Sequence, residues 1–112
     1  MISRQWRGVA KTAFAETYIE HLQTETFPAI RKLLGFVSAS ILRRPTPEGV
    51  EFLIVTQWKS LDSIRAFAGE NVEAAVVPQK VHDIMVDYDR VVRHYEVVVP
   101  EAAANQLAEP RR

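Results

Sequence analysis

Val50-Glu-Phe-Leu-Ile-Val-Thr-Gln-Trp-Lys-Ser-Leu-Asp-Ser-Ile-Arg-Ala-Phe67 reads as an apolar strand that ends at Trp58 and passes directly into a helix. Successive strand residues point to opposite faces, so Phe52 with Ile54 and Leu53 with Val55 put hydrocarbon on both sides of the sheet that holds them. Such a sheet needs two covers. A chain of 112 residues is long enough for one core but not two, so one cover is expected from outside.

Reading outward from that stretch, Phe36 to Arg44 is a second strand, joined to Val50–Lys59 as a hairpin with a longer loop through Pro45-Thr-Pro-Glu-Gly49. Upstream, Ile2 to Val9 is strand one, and Gly8 marks a bend or a close backbone approach. Thr12 is an N-cap candidate for a helix whose apolar stripe is Phe14, Tyr18 and Leu22, flanked by Ala15 and Ile19. Thr24, Thr26 and Pro28 lower helix propensity together, so a kink or restart is expected there, with a continuation through Leu34 and Gly35 as its stop. Downstream, Leu61, Ile64 and Phe67 carry a short helix that ends near Gly69. A longer helix should start near Pro78, with Val77, Val81, Ile84, Met85 and Tyr88 on one face and Asp83, Asp87 and Asp89 largely elsewhere. Val91 to Val99 is the last strand.

The order β-α-β-β-α-β predicts an α+β, ferredoxin-like domain over residues 1–99: a four-stranded antiparallel sheet with both helices on one face. Residues 100–112, alanine-rich and polar, read as a mobile tail. The helices cover one side of the sheet, and the simplest cover for the other is a second copy, giving a homodimer whose sheets face each other.

Composition narrows the function classes. Fourteen basic residues balance fourteen acidic ones, which leaves no basic footprint for nucleic acid. The absence of cysteine excludes disulfides, thiolate catalysis and sulfur-ligated metals, and fits a reducing cytoplasm. No run reaches the length of a membrane span, and the amino terminus lacks a signal-peptide core. Glycines at 8, 35, 49 and 69 are too scattered to cradle a phosphate, and Ser and His occur without a nucleophile elbow. A cytoplasmic protein with no membrane partner, metal or cofactor is expected.

The Val55-Thr-Gln-Trp-Lys-Ser60 run, the helix straight after it, and the closing Arg93-His-Tyr-Glu-Val-Val98 resemble the antibiotic biosynthesis monooxygenase family of dimeric α+β barrels. The resemblance covers roughly residues 2 to 99 in element order. It implies a homodimer with one pocket per subunit between sheet and helices, and activities that range from cofactor-free oxidation of phenols to quinones through haem degradation. The quinone-forming pattern has an Asn four residues before the strand Trp and a Tyr about six after it; Ile54 and Ile64 stand there, and hydrocarbon cannot donate to developing negative charge. The haem-degrading pattern has a Trp and an axial His nine and nineteen residues after the strand Trp, and an Asn on strand one. Phe67, Val77 and Gln5 stand there, and valine cannot ligate iron.

Candidate site residues follow from the faces. Trp58 shares a face with Thr56, Ile54 and Phe52, and Trp6 with Arg4 and Gly8. Either the two indoles line an aromatic pocket in which Arg4 holds an acidic or phenolic group, or they close a core with their N–H groups on backbone carbonyls. His94, on the face of Glu96, is either a general base in the pocket or a residue facing the dimer partner. His82, beside the stripe of the second helix, and His21, beside Leu22, either tip into the pocket or sit at its solvent boundary. Three histidines without close pairing give no metal-ligand pattern. The expected pocket is lined by Trp58, Trp6, Phe14, Tyr18, Phe67, His82, Met85 and Tyr88, with His94 and Arg4 as catalytic candidates. Its expected function is cofactor-independent monooxygenation of a small aromatic or phenolic compound, activated as its anion. The alternative is a non-catalytic binding or accessory protein that holds an apolar small molecule.

Overall fold

The computed structural model describes residues 1–100. β1 (Ile2–Ala10) leads into a helical path made of a 3-10 turn at Thr12–Phe14, α1 (Ala15–His21), a π turn at Leu22–Thr26 and α2 (Phe27–Ile30). The hairpin of β2 (Phe36–Thr46) and β3 (Gly49–Trp58) follows, then α3 (Leu61–Ala68), α4 (Gln79–Ile84), β4 (Met85–Tyr88) and β5 (Arg93–Glu96). The antiparallel sheet runs β2-β3-β1-β4, and β5 also pairs with β1.

This is the predicted α+β order with one correction. Met85 to Tyr88 leaves the expected second helix and becomes a strand, so Asp87 and Asp89 are not on a helix. β4 pairs with the end of β1 (Gly8 opposite Tyr88), and β5 with its beginning (Ile2 opposite Glu96). The two therefore share one strand position, and the sheet remains four strands wide despite its five strands. The edge of β1 offers ladder partners that a surface turn of helix would not, which is how tertiary pairing overrides the helical spacing of Met85 and Tyr88.

Two other expectations change in detail. Pro45 lies inside β2 and pairs with Val50, leaving only Pro47 and Glu48 between the strands, a tighter hairpin than the expected longer loop. β2 is an edge strand, where a residue without an N–H is tolerated. Thr12 makes no capping bond; the expected break is a π turn, and the short continuation with Pro28 in its first turn ends at Ile30 rather than Leu34. Pro28 has no N–H for the Thr24 carbonyl and its ring crowds that group; the turn widens, and the Phe27 N–H donates to the Leu22 carbonyl five residues back. Gly8 lies in an unbroken strand and marks a close approach of the Trp6 ring rather than a bend, and Gly35 lies in the turn before β2 rather than at the end of α2. A Cβ at Gly8 would stand 2.5 Å from the Trp6 ring, and Gly35, at φ +88°, would meet the Ser63 hydroxyl.

The helices pack on one face of the sheet. Phe52, Ile54, Thr56 and Trp58 are buried beneath Tyr18, Leu22, Phe27, Ile30, Ile64, Val81 and Ile84. On the opposite face Leu53 and Val55 are only half-buried and Leu42 is exposed. Beside them Glu51 pairs with Arg44 and Arg7 at 3.0 and 3.5 Å. No helix of the described residues is long and apolar enough to cross a membrane. Of the expected tail, residues 100–112, all but Pro100 lie outside the described residues.

Candidate active site

A cavity of about 70 Å³ lies between the helices and the sheet. β1 supplies Arg4 and Trp6, β3 supplies Ile54 and Thr56, the helical path supplies Tyr18, His21, Thr26 and Phe27, and α3 supplies Phe67. It adjoins a wider, mostly apolar vestibule of about 480 Å³, with which it shares His21, Thr26, Ile30, Phe67, Val76 and Pro78. Glu25 and Lys80 stand at the vestibule's edge, paired at 2.8 Å. The π turn sets this wall: His21, Leu22, Thr26 and Phe27 all face the cavity.

Arg4 dominates the electrostatics. It is 4% exposed, and its guanidinium donates to the Val72 carbonyl and, at 3.0 Å, to the Ala74 carbonyl. Its charge also lies 5.6 Å above the Phe67 ring. Among the described residues no carboxylate pairs with it, and burial pulls its pKa down to about 10, which still leaves it charged at neutral pH. A buried cation held only by dipoles is costly, and a ligand anion would offset that cost.

His94 stands directly opposite Arg4 in the β1–β5 ladder, on the helix side of the sheet. Its Nε2 lies 3.0 Å from Arg4 Nη1. A guanidinium can only donate, so Nε2 must accept, which fixes the neutral Nδ1–H tautomer. Burial, and then the Arg4 charge, lower its pKa, while Glu73 acts the other way. His94 thus braces Arg4 from behind, and its one lone pair is already used.

The remaining polar groups converge from the helical path and β3. The Tyr18 hydroxyl has no protein hydrogen-bond partner among the described residues, and burial raises its pKa. His21 is 6% exposed; its Nε2 lies 3.2 Å from Thr26 Oγ1, while its buried Nδ1 lies 3.5 Å from the Glu25 carboxylate. Thr56 Oγ1 accepts the Trp58 indole N–H at 2.9 Å and keeps its own proton to donate.

The structure brings together three of the expected lining residues with Arg4, sets His94 beside Arg4, and sets the others apart. Arg4, Trp6, Tyr18 and Phe67 line the cavity. The Trp6 N–H is spent on the Asp89 carbonyl at 2.7 Å. Trp58 is fully buried behind the cavity, stacked on Phe67 at 6.1 Å and edge-on to Phe36. Met85, Tyr88 and His82 border a separate surface hollow, where His82 Nδ1 lies 2.8 Å from the Tyr88 hydroxyl, and Phe14 is exposed. Of the two readings of His21, the structure shows the one in which it tips into the pocket: it stands three residues after Tyr18 on the buried face of α1. Positions 54, 64, 67 and 77 are hydrocarbon in place: Ile54 and Phe67 on the cavity wall, Ile64 fully buried, Val77 half-buried. Gln5 alternates with Arg4 and Trp6, so it points to the opposite face of the sheet.

A Bacillus cereus protein assigned to the antibiotic biosynthesis monooxygenases superposes with a TM-score of 0.63 at 18% identity, over 91% of this chain and 97% of its own. The fold is that of the antibiotic biosynthesis monooxygenases. A Streptomyces coelicolor monooxygenase in complex with nanaomycin D is similar at a TM-score of 0.57 and 17% identity, over 89% of this chain and 91% of its own. The haem degrader MhuD from Mycobacterium tuberculosis, with two haems in its active site, is similar at 0.56 and 19%, over 89% and 98%. No family model and no curated protein matches the sequence. At these identities the likeness is one of fold, and the chemistry rests on the side chains of this chain.

Proposed function

We propose that this chain is a monooxygenase-like protein that works without a cofactor on a small aromatic or phenolic compound, bound as its anion in the cavity and vestibule. The observation that carries this reading is the buried Arg4 guanidinium, which faces an aromatic and aliphatic chamber with no carboxylate among the described residues to neutralise it. A phenolate or enolate oxygen placed there gains a charge-assisted bond, and the cation lowers the pKa of the bound phenol. The small chamber takes the acidic end of the ligand, and the vestibule takes its rings. In the reaction, molecular oxygen attacks the electron-rich ring: one oxygen atom becomes the new carbonyl and the other leaves as water, so a phenol and one O₂ give a quinone and one H₂O.

The open sheet face completes the proposal, because Leu42, Leu53 and Val55 need a cover that a second copy of the chain would provide. The residues do not fit haem in the arrangement expected of haem degraders, since Val77 and Phe67 occupy the two key positions and Gln5 faces the other way. A second reading, a binding protein without catalysis, is favoured by hydrocarbon at Ile54 and Ile64.

An oxygen electrode separates the two. With a panel of mono- and polycyclic phenols and no added cofactor, the enzyme reading expects consumption of one O₂ per quinone formed, abolished in Arg4→Met. Phenol binding without oxygen uptake by any member of the panel would favour the binding protein.

A further inference from the structure

We infer that Tyr18 determines specificity in the cavity: its hydroxyl donates to a second oxygen of the ligand, distinct from the acidic oxygen at Arg4, which narrows the ligand to phenols or enols that carry a further oxygen acceptor. The inference rests on the proposed binding of such an anion at Arg4. Tyr18 lies on the cavity wall and is 2% exposed, yet its hydroxyl has no hydrogen-bond partner among the described residues. Packing does not require that hydroxyl. The ring is edge-on to Phe52 at 5.0 Å and tilted against Trp6 at 6.3 Å, and a phenylalanine would make both contacts. A buried hydroxyl with nothing to bond is destabilising, and folded proteins seldom keep one.

The polar groups that share the chamber do not meet the need. Arg4 can only donate. Thr56 Oγ1 accepts the Trp58 indole N–H at 2.9 Å, and Thr26 Oγ1 lies 3.2 Å from His21 Nε2, so both hydroxyls are engaged elsewhere. Burial raises the pKa of Tyr18, so its hydroxyl keeps the proton that it offers. The chamber thus holds more donors than acceptors. A ligand that displaces solvent from it must supply an acceptor to Tyr18 or lose affinity.

Position separates this second oxygen from the acidic one. Arg4 and Thr56 face each other in the β1–β3 ladder, Trp6 and Ile54 form the next row on that face, and Gly8 and Phe52 the row after it. Four strand residues, roughly 13 Å, lie between the first row and the third. The Arg4 guanidinium is drawn over Phe67 and bonded to the Val72 and Ala74 carbonyls, whereas the Tyr18 ring packs on Trp6 and Phe52. The two donors therefore belong to different ends of the chamber, with Trp6 and Ile54 on the wall between them. A ligand ring lying over that wall holds one oxygen toward each end.

Matched pairs of ligands test the assignment. The three hydroxyacetophenone isomers each carry a carbonyl where the corresponding ethylphenol has a methylene, and isothermal titration compares them on wild-type protein and Tyr18→Phe. For the isomer whose carbonyl meets Tyr18, the variant should bind the ketone about tenfold more weakly and the ethylphenol within about twofold of wild type. Comparing the two proteins cancels the greater acidity of the ketones, which acts equally on both. Circular dichroism verifies that Tyr18→Phe folds. If the variant weakens ketone and ethylphenol alike, the hydroxyl serves the acidic oxygen; if it weakens no isomer, Tyr18 is a core residue. Either result overturns the assignment and leaves the proposed phenol binding standing. If wild-type protein binds none of these phenols, both fall.

Discussion

Both faces of β3 carry large apolar residues, and they end in opposite states. Phe52, Ile54 and Trp58 are buried under the helices, whereas Leu53 and Val55, one residue along from them, are half-covered and adjoin exposed Leu42. The buried face carries the cavity and its polar groups; the open face carries the Arg44–Glu51–Arg7 ion pairs and the Gln5–Ser3 hydrogen bond beside its hydrocarbon. Local sequence therefore writes hydrophobicity on both sides, and tertiary packing decides which side becomes a site. Among the described residues the inner face is covered, and the outer face is left open.

Truncation on the inner face should have the largest effect. Phe52 is fully buried, edge-on to Tyr18 at 5.0 Å, and Phe52→Ala should cost about 3–5 kcal/mol, read from urea unfolding. On the outer face, Leu53→Arg should change the stability of an isolated chain by less than about 1 kcal/mol. Its effect should appear instead in assembly: wild-type protein is expected to sediment at twice the chain mass and the variant at the chain mass. A wild-type monomer would mean that the outer face is covered some other way or left open.

The pH dependence of stability should sharpen the comparison further, with a smaller effect. Burial, then Arg4, places the folded-state pKa of His94 below that of an unfolded histidine, about 6.5. Below that value the unfolded chain takes up protons more readily than the folded one, so stability should fall as pH drops from about 6.5 through the lower folded value and be level above. Glu25 and Glu51, whose pKa values are lowered by Lys80 and Arg44 respectively, should lose their contribution only at the more acidic pH where carboxylates protonate. His94→Asn should remove the upper of the two limbs. An unchanged limb in that variant, measured by thermal melts from pH 5 to about 7, would place the titrating group elsewhere.

Much of the inner face was legible in the sequence because strand alternation is rigid: Arg4 with Trp6, and Ile54 with Thr56 and Trp58, had to share a side. The apolar stripe likewise placed Tyr18 and Leu22 over the sheet. What the sequence concealed lies where tertiary structure overrides local spacing. Met85 and Tyr88 keep a helical interval yet pair with β1, which carries them and His82 away from the cavity. Thr26 and Phe27 reach the cavity wall through the widened turn before Pro28, and a proline signals a break without saying which way the side chains will swing. Trp58 marked the strand's end correctly, but its N–H is spent on Thr56 and its rings lie behind Phe67, so it closes the core rather than the site.

The claim on which the account turns is that Arg4 selects an acidic ligand. Isothermal titration of wild-type protein and Arg4→Met with 4-nitrophenol and with its methyl ether, which has the same ring but no acidic proton, tests it. Wild-type protein should prefer the phenol by tenfold or more, which is about 1.4 kcal/mol. Arg4→Met should bind the two alike. Equal affinities in wild-type protein, or a preference that survives the loss of Arg4, would contradict the account.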